Sequence, residues 1–332
     1  MLAMAWVRAG SKAGVWRLGV SPWRSLCASS TSGSTTSAES ASARCDGERE
    51  SSEARESEGS VDRKEAAFFA SLSGEWWRKE GGPMAMLHRM QPARIAFVRD
   101  AILAGTRARH GGEGEGGGGA AWEVLRGVRV LDVGCGGGLA TENLARLGAH
   151  VTGLDASEAN VAAARARLAR GPLSLRTAEA GEGPAGRVEY VGEALEAHLA
   201  GGREGAYDAA VSLEVVEHVA SAERFVRDLC RAVRPGGVAV VSTLNRSNAA
   251  FVGGVLLAER VLGYAAPGTH DWTKFLTPEE LADMLSAEGM VVERASGLTL
   301  NPVAGTFAPS DDMSINYIVA ARKPQIEPLH TP

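Results

Sequence analysis

The stretch from Val128 to Asp155, VRVLDVGCGGGLATENLARLGAHVTGLD, decides the fold that we expect for this chain. Its first residues form a short apolar run, which is typical of a buried strand in a parallel sheet. The run ends in the turn Gly134-Cys135-Gly136-Gly137-Gly138, where the backbone can take positive φ and a ligand can lie against the main chain. A helix is predicted from Leu139 to Leu147, and a second strand ends in Asp155, whose carboxylate can accept hydrogen bonds from both hydroxyls of a ribose. The pattern therefore predicts a site for a ligand that contains a nucleoside.

The spacing of the glycines separates two kinds of nucleoside ligand. A dinucleotide site needs glycines at the first, third and sixth positions of the turn, but the sixth position counted from Gly134 is Leu139. Asp132 and the alternating glycines instead give D-x-G-x-G-x-G, which resembles motif I of the class I S-adenosylmethionine (SAM) methyltransferases. In that interpretation the turn passes a methionine tail rather than a pyrophosphate, and Asp132 faces the ammonium group. The alternative is a glycine-rich strand, turn and helix that bind no ligand.

The composition limits the classes of protein to consider. The 332 residues are 45% hydrophobic, which is enough for one large core, and the net charge of −5 gives no sign of a nucleic-acid partner. The four cysteines are Cys27, Cys45, Cys135 and Cys230. Their spacing fits neither a zinc site nor a disulfide framework. No run of residues is long and apolar enough to span a bilayer.

Composition also divides the chain into segments. Residues 1–38 contain four basic residues and no acidic residue, with apolar and serine-rich stretches between them, which is typical of an organelle transit peptide. Composition does not separate a mitochondrial from a chloroplast address, and a tail without an address is the alternative. The predicted segments are a transit peptide (1–44), a disordered linker (45–61), an N-terminal helical lid (62–108), a glycine-rich loop (109–120), a SAM-dependent methyltransferase domain (121–323) and a loose tail (324–332).

Five further strands are predicted to complete the sheet around the central stretch, at residues 188–191, 207–213, 238–243, 291–294 and 315–320. Glu193 comes directly after the strand Val188–Val191, where an acidic residue commonly reaches the adenine amino group in class I methyltransferases. The alternative is a glutamate that only stabilises the N-terminus of a helix. The segments 291–294 and 315–320 are predicted to form the antiparallel pair that ends the sheet.

Four stretches carry a more specific resemblance. They are Trp76-Trp77…Gly81 with Leu87-His88-Arg89-Met90-Gln91-Pro92-Ala93-Arg94, then Val130–Gly138, Leu213–Val219 and Gly268–Phe275. Together they resemble the ubiquinone-biosynthesis O-methyltransferase family, over about residues 62–323. The first and last stretches distinguish this family from other class I methyltransferases, because the other two stretches occur in many of them. The family usually has asparagine at the position of Gln91, and we expect this departure to have little effect.

The resemblance implies an α/β fold with a Rossmann-like, seven-stranded class I methyltransferase sheet, helices on both faces and an N-terminal helical lid. It implies SAM contacts at Arg94, Gly134, Asp155 and Leu213, and the turn and strand ends add Asp132, Gly136 and Glu193 as cofactor-binding candidates. Arg94 suits this role, because a guanidinium can form a bidentate pair with the SAM carboxylate.

The activity that the family implies is SAM-dependent O-methylation of a catechol-type hydroxyl on a polyprenylated ubiquinone precursor. The substrate is 3,4-dihydroxy-5-polyprenylbenzoate, 3-demethylubiquinol or both. The family also implies a mitochondrial enzyme, peripheral on the matrix side of the inner membrane, in a complex with other ubiquinone-biosynthesis proteins. The alternatives are a small-molecule methyltransferase that acts at carbon or nitrogen, and a SAM-binding scaffold subunit without turnover.

Removal of the phenol proton is assigned to three side chains that follow the predicted strand Tyr207–Leu213, at the carboxyl edge of the sheet. If a helix begins at Glu214, then Glu214, Glu217 and His218 share one face. They would then hold a divalent metal, with Mg²⁺ as the candidate, that chelates both ring oxygens and lowers the phenol pKa. Without a metal, His218 acts as the general base. His218 and Glu217 are therefore the predicted catalytic residues.

The segment from Asn248 to Ala266 is apolar but interrupted by charges. It is too short and too charged to cross a membrane, and it is predicted to be an amphipathic insert. One interpretation places it on a bilayer surface, and the other makes it a lid helix packed on the core.

Overall fold

The computed structural model describes residues 6–8, 16–18, 59–109, 124–170, 186–247, 250 and 274–325. Most of the predicted linker (45–61), glycine-rich loop (109–120), amphipathic segment (248–266) and tail (324–332) lies outside these residues. Among the helices described, none has the length and apolar character needed to cross a membrane.

A mixed sheet of ten strands runs through the described residues. Its strands are β1 (Trp6–Arg8), β2 (Trp16–Leu18), β3 (Arg129–Val133), β4 (His150–Asp155), β5 (Arg187–Gly192), β6 (Tyr207–Leu213), β7 (Val233–Leu244), β8 (Val291–Asn301), β9 (Thr306–Ser310) and β10 (Asn316–Arg322). In space they follow the order β1-β2-β8-β10-β7-β6-β3-β4-β5, and β9 pairs with β8. Strands β3 to β7 run parallel, and β10 lies antiparallel between β7 and β8.

The predicted α/β class and Rossmann-like sheet are confirmed, but the predicted strand count of seven is too low. Strands β3 to β8 and β10 are the seven predicted ones, and β1, β2 and β9 extend the sheet beside β8. Strand β9 forms because the chain turns tightly after β8. Asn301 accepts two backbone hydrogen bonds in this turn, each of 3.0 Å, and Gly305 takes a φ of 64°. Strand β2 joins β8 through the pair Trp16 and Ala295, so part of the predicted transit peptide lies at the sheet edge.

Helices cover both faces of the sheet, as predicted. In the described residues they are α1 (Arg63–Ser71), α2 (Ala85–Arg109), α3 (Leu139–Arg146), α4 (Glu158–Arg170), α5 (Leu195–His198), α6 (Ala222–Ala232) and α7 (Pro278–Ala287). Strand side chains alternate between the faces, so Leu131 and Val133 join the core beneath α6 and α7. Val130 joins the other core, beneath α2, α3 and α4.

The N-terminal helices have two different roles. The residue type of Pro92 favours the first turn of a helix, but helix α2 begins at Ala85 and the proline lies inside it. Phe97 and Val98 of α2 are buried in the sheet core, so the second half of this helix is part of the main domain. Only α1 and the residues up to Trp77 form a separate cover, and we call this segment the lid.

Candidate active site

A cavity lies at the carboxyl ends of the parallel strands, beneath α1. Five of the predicted site residues line it, namely Gly134, Asp155, Glu193, Glu214 and His218. The strand order reverses between β3 and β6, because β4 and β5 extend the sheet on one side and β6 and β7 on the other. Such a reversal leaves a crevice outside the strand ends, which is where open α/β sheets bind their ligands.

The residues that lead into the lid are bonded to two other parts of the chain, at Glu196 and Lys274. Ser60 donates from its backbone N–H and from its hydroxyl to the carboxylate of Glu196, both at 3.0 Å. Asp62 caps α1 and also accepts a hydrogen bond of 2.8 Å from Nζ of Lys274. These contacts hold α1 over the cavity.

The glycine turn is shaped by the lid that packs on it. Gly134 and Gly136 have φ angles of 74° and 53°, which favour glycine. A Cβ added at Gly134 would meet the Val215 side chain at 2.5 Å, and one at Gly136 would meet the Trp76 ring at 2.4 Å. Trp77 donates from Nε1 to the carbonyl oxygen of Gly137 at 2.8 Å. The two tryptophans of the lid therefore pack directly on the glycine turn.

We expect Gly136→Ala to destabilise the protein by about 1–3 kcal/mol more than Gly127→Ala, by the usual cost of overpacking. Gly127 is the matched control, because its φ is also positive at 78° but no atom lies within 4 Å of an added Cβ. The difference in the free energy of unfolding, measured by urea denaturation, isolates the clash with Trp76. Equal destabilisation by the two changes would contradict the close contact between lid and turn.

Asp155 ends β4 on the cavity wall, as the sequence predicts for a group that binds a ribose. Its carboxylate accepts hydrogen bonds from the backbone N–H groups of Gly136 at 2.8 Å and Ser157 at 2.9 Å. Asn160 donates to it at 3.2 Å and in turn accepts from Nε1 of Trp76 at 3.0 Å. Burial raises the pKa of Asp155. No sequence pattern marked Asn160, which connects the carboxylate of Asp155 to the lid.

Asp132 lies beneath the turn and is absent from the cavity lining. It is 2% exposed, and its carboxylate accepts a hydrogen bond of 2.5 Å from the Thr141 hydroxyl. Burial raises its pKa to about 6. The structure therefore gives Asp132 a partner in helix α3, and its contact with the SAM ammonium group stays a prediction.

Glu193 follows β5 and lies on the cavity wall, where its predicted role places it. Its Oε1 is 2.7 Å from Nδ1 of His198, a buried residue at the end of α5. The alternative of a glutamate that only begins a helix is less suitable, because α5 is four residues long and Ala194 occupies its N-cap.

Arg94 is buried behind the cavity wall, with 2% of its surface exposed. Its NH2 group donates to Oε1 of Gln91 at 2.8 Å and to the Leu87 carbonyl at 3.2 Å. NH1 lies 3.5 Å from Oε1 of Glu214, and within the described part of the chain Nε has no hydrogen-bond partner. Burial lowers the pKa of Arg94. An arginine held this way keeps one polar edge for an anionic group, which fits the predicted SAM carboxylate.

Leu213 ends β6 and is not on the cavity lining, whereas the next residue is. Glu214 has a φ of 58° and is the one non-glycine residue with positive φ in the described ranges. Its carboxylate also accepts a hydrogen bond of 2.7 Å from the Ser242 hydroxyl. This backbone conformation is unfavourable for a side chain, and such residues concentrate at functional sites.

Glu217 and His218 differ in their surroundings. Glu217 is 3% exposed, absent from the cavity lining, and accepts a hydrogen bond of 2.9 Å from the Thr243 hydroxyl. Burial and the nearby charge of Glu214 raise its pKa to about 7. His218 lines the cavity, and its Nδ1 lies 3.2 Å from Oε2 of Glu65 in the lid.

The charges around His218 strengthen it as a base. Burial alone would lower its pKa, but the carboxylates of Glu65 and Glu217 outweigh burial, and the pKa is raised. The Phe69 ring stands edge-on to the imidazole, with 4.8 Å between centroids. Sequence reasoning missed Glu65, because the two partners are 153 residues apart and no local pattern connects them.

The prediction that Glu214, Glu217 and His218 share a helix face is wrong. After the left-handed Glu214, the chain makes only a short 3₁₀ turn, Val216–His218. The three side chains consequently have separate partners, in Arg94 and Ser242, Thr243, and Glu65. Over the residues that the structure describes, no group of three histidine, cysteine, aspartate or glutamate side chains is arranged to hold a metal ion. In this arrangement the predicted donors do not fit a divalent metal.

The parallel sheet, the glycine turn after β3 and the carboxylate at the end of β4 define a class I SAM-dependent methyltransferase, and residues 131–241 match the family described as "Methyltransferase domain". A ubiquinone biosynthesis O-methyltransferase of Methylobacterium sp. (strain 4-46) is 41% identical, over 80% of this chain and 96% of its own. A protein of that name from Arabidopsis thaliana, designated mitochondrial, is 36% identical over 80% of this chain and 75% of its own. The chain therefore belongs to the ubiquinone biosynthesis O-methyltransferase family.

This family is the one that the sequence motifs around Trp76 and around Gly134 resemble, so that prediction is confirmed. The protein is an enzyme that uses SAM as its methyl donor, as D-x-G-x-G-x-G predicts. A third relative, from Caulobacter vibrioides, is 37% identical over 80% of this chain and 95% of its own. The residues assigned to the site stay predictions.

Proposed function

We propose that this enzyme methylates a catechol-type hydroxyl of a polyprenylated ubiquinone precursor, either 3,4-dihydroxy-5-polyprenylbenzoate or 3-demethylubiquinol. The names of its relatives support the pathway. The observation that carries the chemistry is the pair formed by His218 on the cavity wall and Glu65 in the lid. A phenol is a weak nucleophile until it loses its proton, so an O-methyltransferase for this substrate class needs a base at the cavity.

His218 is the proposed general base. With its Nδ1–H directed at Glu65, the neutral ring has Nε2 as its basic nitrogen. The phenol proton passes to His218, the phenolate oxygen forms a bond to the methyl carbon, and the carbon–sulfur bond of SAM breaks to give S-adenosylhomocysteine. Glu65 orients the ring and stabilises the imidazolium that results, and His218 then releases the proton to solvent.

The binding residues have separate tasks in this proposal. Asp155 accepts hydrogen bonds from the ribose, Glu193 accepts one from the adenine amino group, and Arg94 pairs with the carboxylate of the methionine tail. Gly134 and Gly136 let that tail pass close to the backbone. Asp132 faces the ammonium group of the methionine tail, and Leu213 contacts the cofactor at the end of β6. Together these groups fix the methyl group above the substrate.

The proposed setting is the matrix side of the mitochondrial inner membrane, where the enzyme is peripheral and works with other ubiquinone-biosynthesis proteins. The acid-free, basic composition of residues 1–38 supports a transit peptide, and the Arabidopsis relative is designated mitochondrial. A substrate with a polyprenyl tail resides in lipid, which favours an enzyme that works at a membrane surface.

A divalent metal at Glu214, Glu217 and His218 remains a proposal from the sequence, and it would require these side chains to exchange their present partners. The test uses the full-length enzyme treated with a chelator and then supplied with Mg²⁺, Zn²⁺ or no metal. Methyl transfer from labelled SAM to a short-tailed 3,4-dihydroxybenzoate is measured. Turnover that requires metal and is lost in Glu214→Gln would assign proton removal to the metal. Turnover that is independent of metal would assign it to His218 alone.

The same assay tests the proposed function. The matched control compound carries a methyl group on the hydroxyl that would react. Methyl transfer to the catechol, without transfer to this control, supports the proposed function. SAM binding without transfer to either ubiquinone precursor would overturn it and favour another substrate.

A further inference from the structure

We propose that His198 is a positioning residue for the cofactor, which holds the carboxylate of Glu193 on the cavity wall so that it binds the amino group of adenine. The inference rests on the proposed SAM site and names a residue outside it. His198 lies at the end of α5, and the sequence alone marked it in no way. It is 1% exposed, so it touches neither solvent nor ligand.

Both ring nitrogens of His198 are engaged. Nδ1 lies 2.7 Å from Oε1 of Glu193, and Nε2 lies 2.7 Å from the hydroxyl of Tyr207. The two rings are stacked, with 5.9 Å between their centroids. The three side chains come from three elements, because Glu193 follows β5, His198 ends α5 and Tyr207 begins β6. The imidazole therefore has a fixed orientation and position.

The directions of these hydrogen bonds are mutually consistent. A carboxylate only accepts, so Nδ1 donates to Glu193 and Nε2 of a neutral ring accepts from the Tyr207 hydroxyl. The chain of donors runs from Tyr207 through His198 to Glu193. Each member has its partner inside the protein, so no ligand is needed to set the arrangement.

The carboxylate that receives this chain is in contact with the cavity. Glu193 lines the cavity, and its side chain is one third exposed (33%), in contrast to His198 at 1%. A free glutamate has several rotatable bonds, and ordering it on ligand binding would weaken the affinity. Because His198 orders it beforehand, the acceptor for the adenine amino group is already in place.

The experiment measures recognition of the adenine amino group directly. Calorimetry on the full-length protein gives the Kd of S-adenosylhomocysteine and of its analogue with hydrogen in place of the 6-amino group. We expect the wild type to prefer the amino compound by ~10-fold, as for a hydrogen bond to a charged group. Glu193→Ala should abolish the preference.

Two His198 variants form a matched pair. In His198→Asn the amide can still donate where Nδ1 did, so most of the preference should remain. His198→Gln places its amide nearer Nε2 and leaves Glu193 without its donor, so the preference should fall to about threefold or less, with little change in the Kd of the analogue. Tyr207→Phe keeps the stacked ring and removes only the hydroxyl, and it should show an intermediate preference, so it serves if a His198 variant fails to fold.

The preference for the amino compound separates a positioning role of His198 from a purely structural one. A purely structural role would weaken both ligands equally, and an unchanged preference in folded His198→Gln or Tyr207→Phe would overturn the proposal. A wild type that binds both ligands equally would show that Glu193 does not read the amino group, which also overturns it. Failure of the wild type to bind S-adenosylhomocysteine at all would instead refute the proposed SAM site.

Discussion

Replacement of His218 by asparagine is expected to lower kcat by about 10²–10⁴-fold, the usual contribution of a general base. We expect the loss to be confined to the chemical step, because the proposed contacts with SAM are made by other residues, Arg94, Asp155 and Glu193. Single-turnover transfer to a short-tailed dihydroxybenzoate, with SAM affinity measured in parallel, separates the two effects. His150→Asn is the matched control, since His150 is exposed at the start of β4.

The lid partner gives a second measure of the same pair. Glu65→Gln keeps the size of the side chain but removes the charge beside Nδ1, and we expect kcat to fall by about tenfold, as for the loss of one charge-assisted hydrogen bond. Glu65→Asp should recover part of the rate.

A His218→Asn enzyme that keeps more than a tenth of the wild-type kcat would contradict the role of this histidine in proton removal.

The second large effect is expected at Arg94. We expect Arg94→Met to weaken SAM binding by about 10²-fold, which corresponds to the loss of a buried charge pair of 2–5 kcal/mol. The reason is that NH2 is fixed by Gln91 and Leu87, so the guanidinium approaches its ligand without further ordering. Calorimetry with SAM gives the affinity, and Arg89→Met, which removes an exposed arginine from the same helix, is the control.

The source of the lost affinity can be identified with a shorter ligand. Methylthioadenosine has the nucleoside and the sulfur of SAM but lacks the carboxylate. If Arg94 pairs with the carboxylate, Arg94→Met should bind methylthioadenosine as tightly as the wild type does. Equal weakening of both ligands would show that the substitution disturbs the site through Glu214, which loses its ion pair, and not through the cofactor.

The parts of the site that sequence could predict are those fixed by local backbone patterns. A strand, a glycine turn and a helix follow from residues that are adjacent in the chain, so the sequence predicts that Gly134 and Asp155 lie together at the ends of two strands, and both line the cavity. Glu193 was placed for the same reason, because it directly follows a strand. In each case the side chain reaches the cavity because a parallel strand ends there.

The parts that sequence could not predict depend on contacts between distant segments or on unusual backbone. Spacing alone put Glu214, Glu217 and His218 on one helix face, but the left-handed φ of Glu214 is stabilised by Arg94 and Ser242 from other elements. The partners Glu65 and Asn160 were missed because nothing in their own neighbourhood marks them.

Glu65 links the covering of the cavity to the environment of the proposed base, because it lies in α1 and contacts His218. Glu65 belongs to the same helix whose edge is bonded to Glu196 and Lys274. Any displacement of α1 from the cavity would therefore separate Glu65 from His218. With α1 displaced, His218 would lack the carboxylate that orients its ring and raises its pKa. Closure of the cavity and completion of the base thus depend on the same helix, and we expect His218 to remove protons efficiently only while α1 covers the cavity.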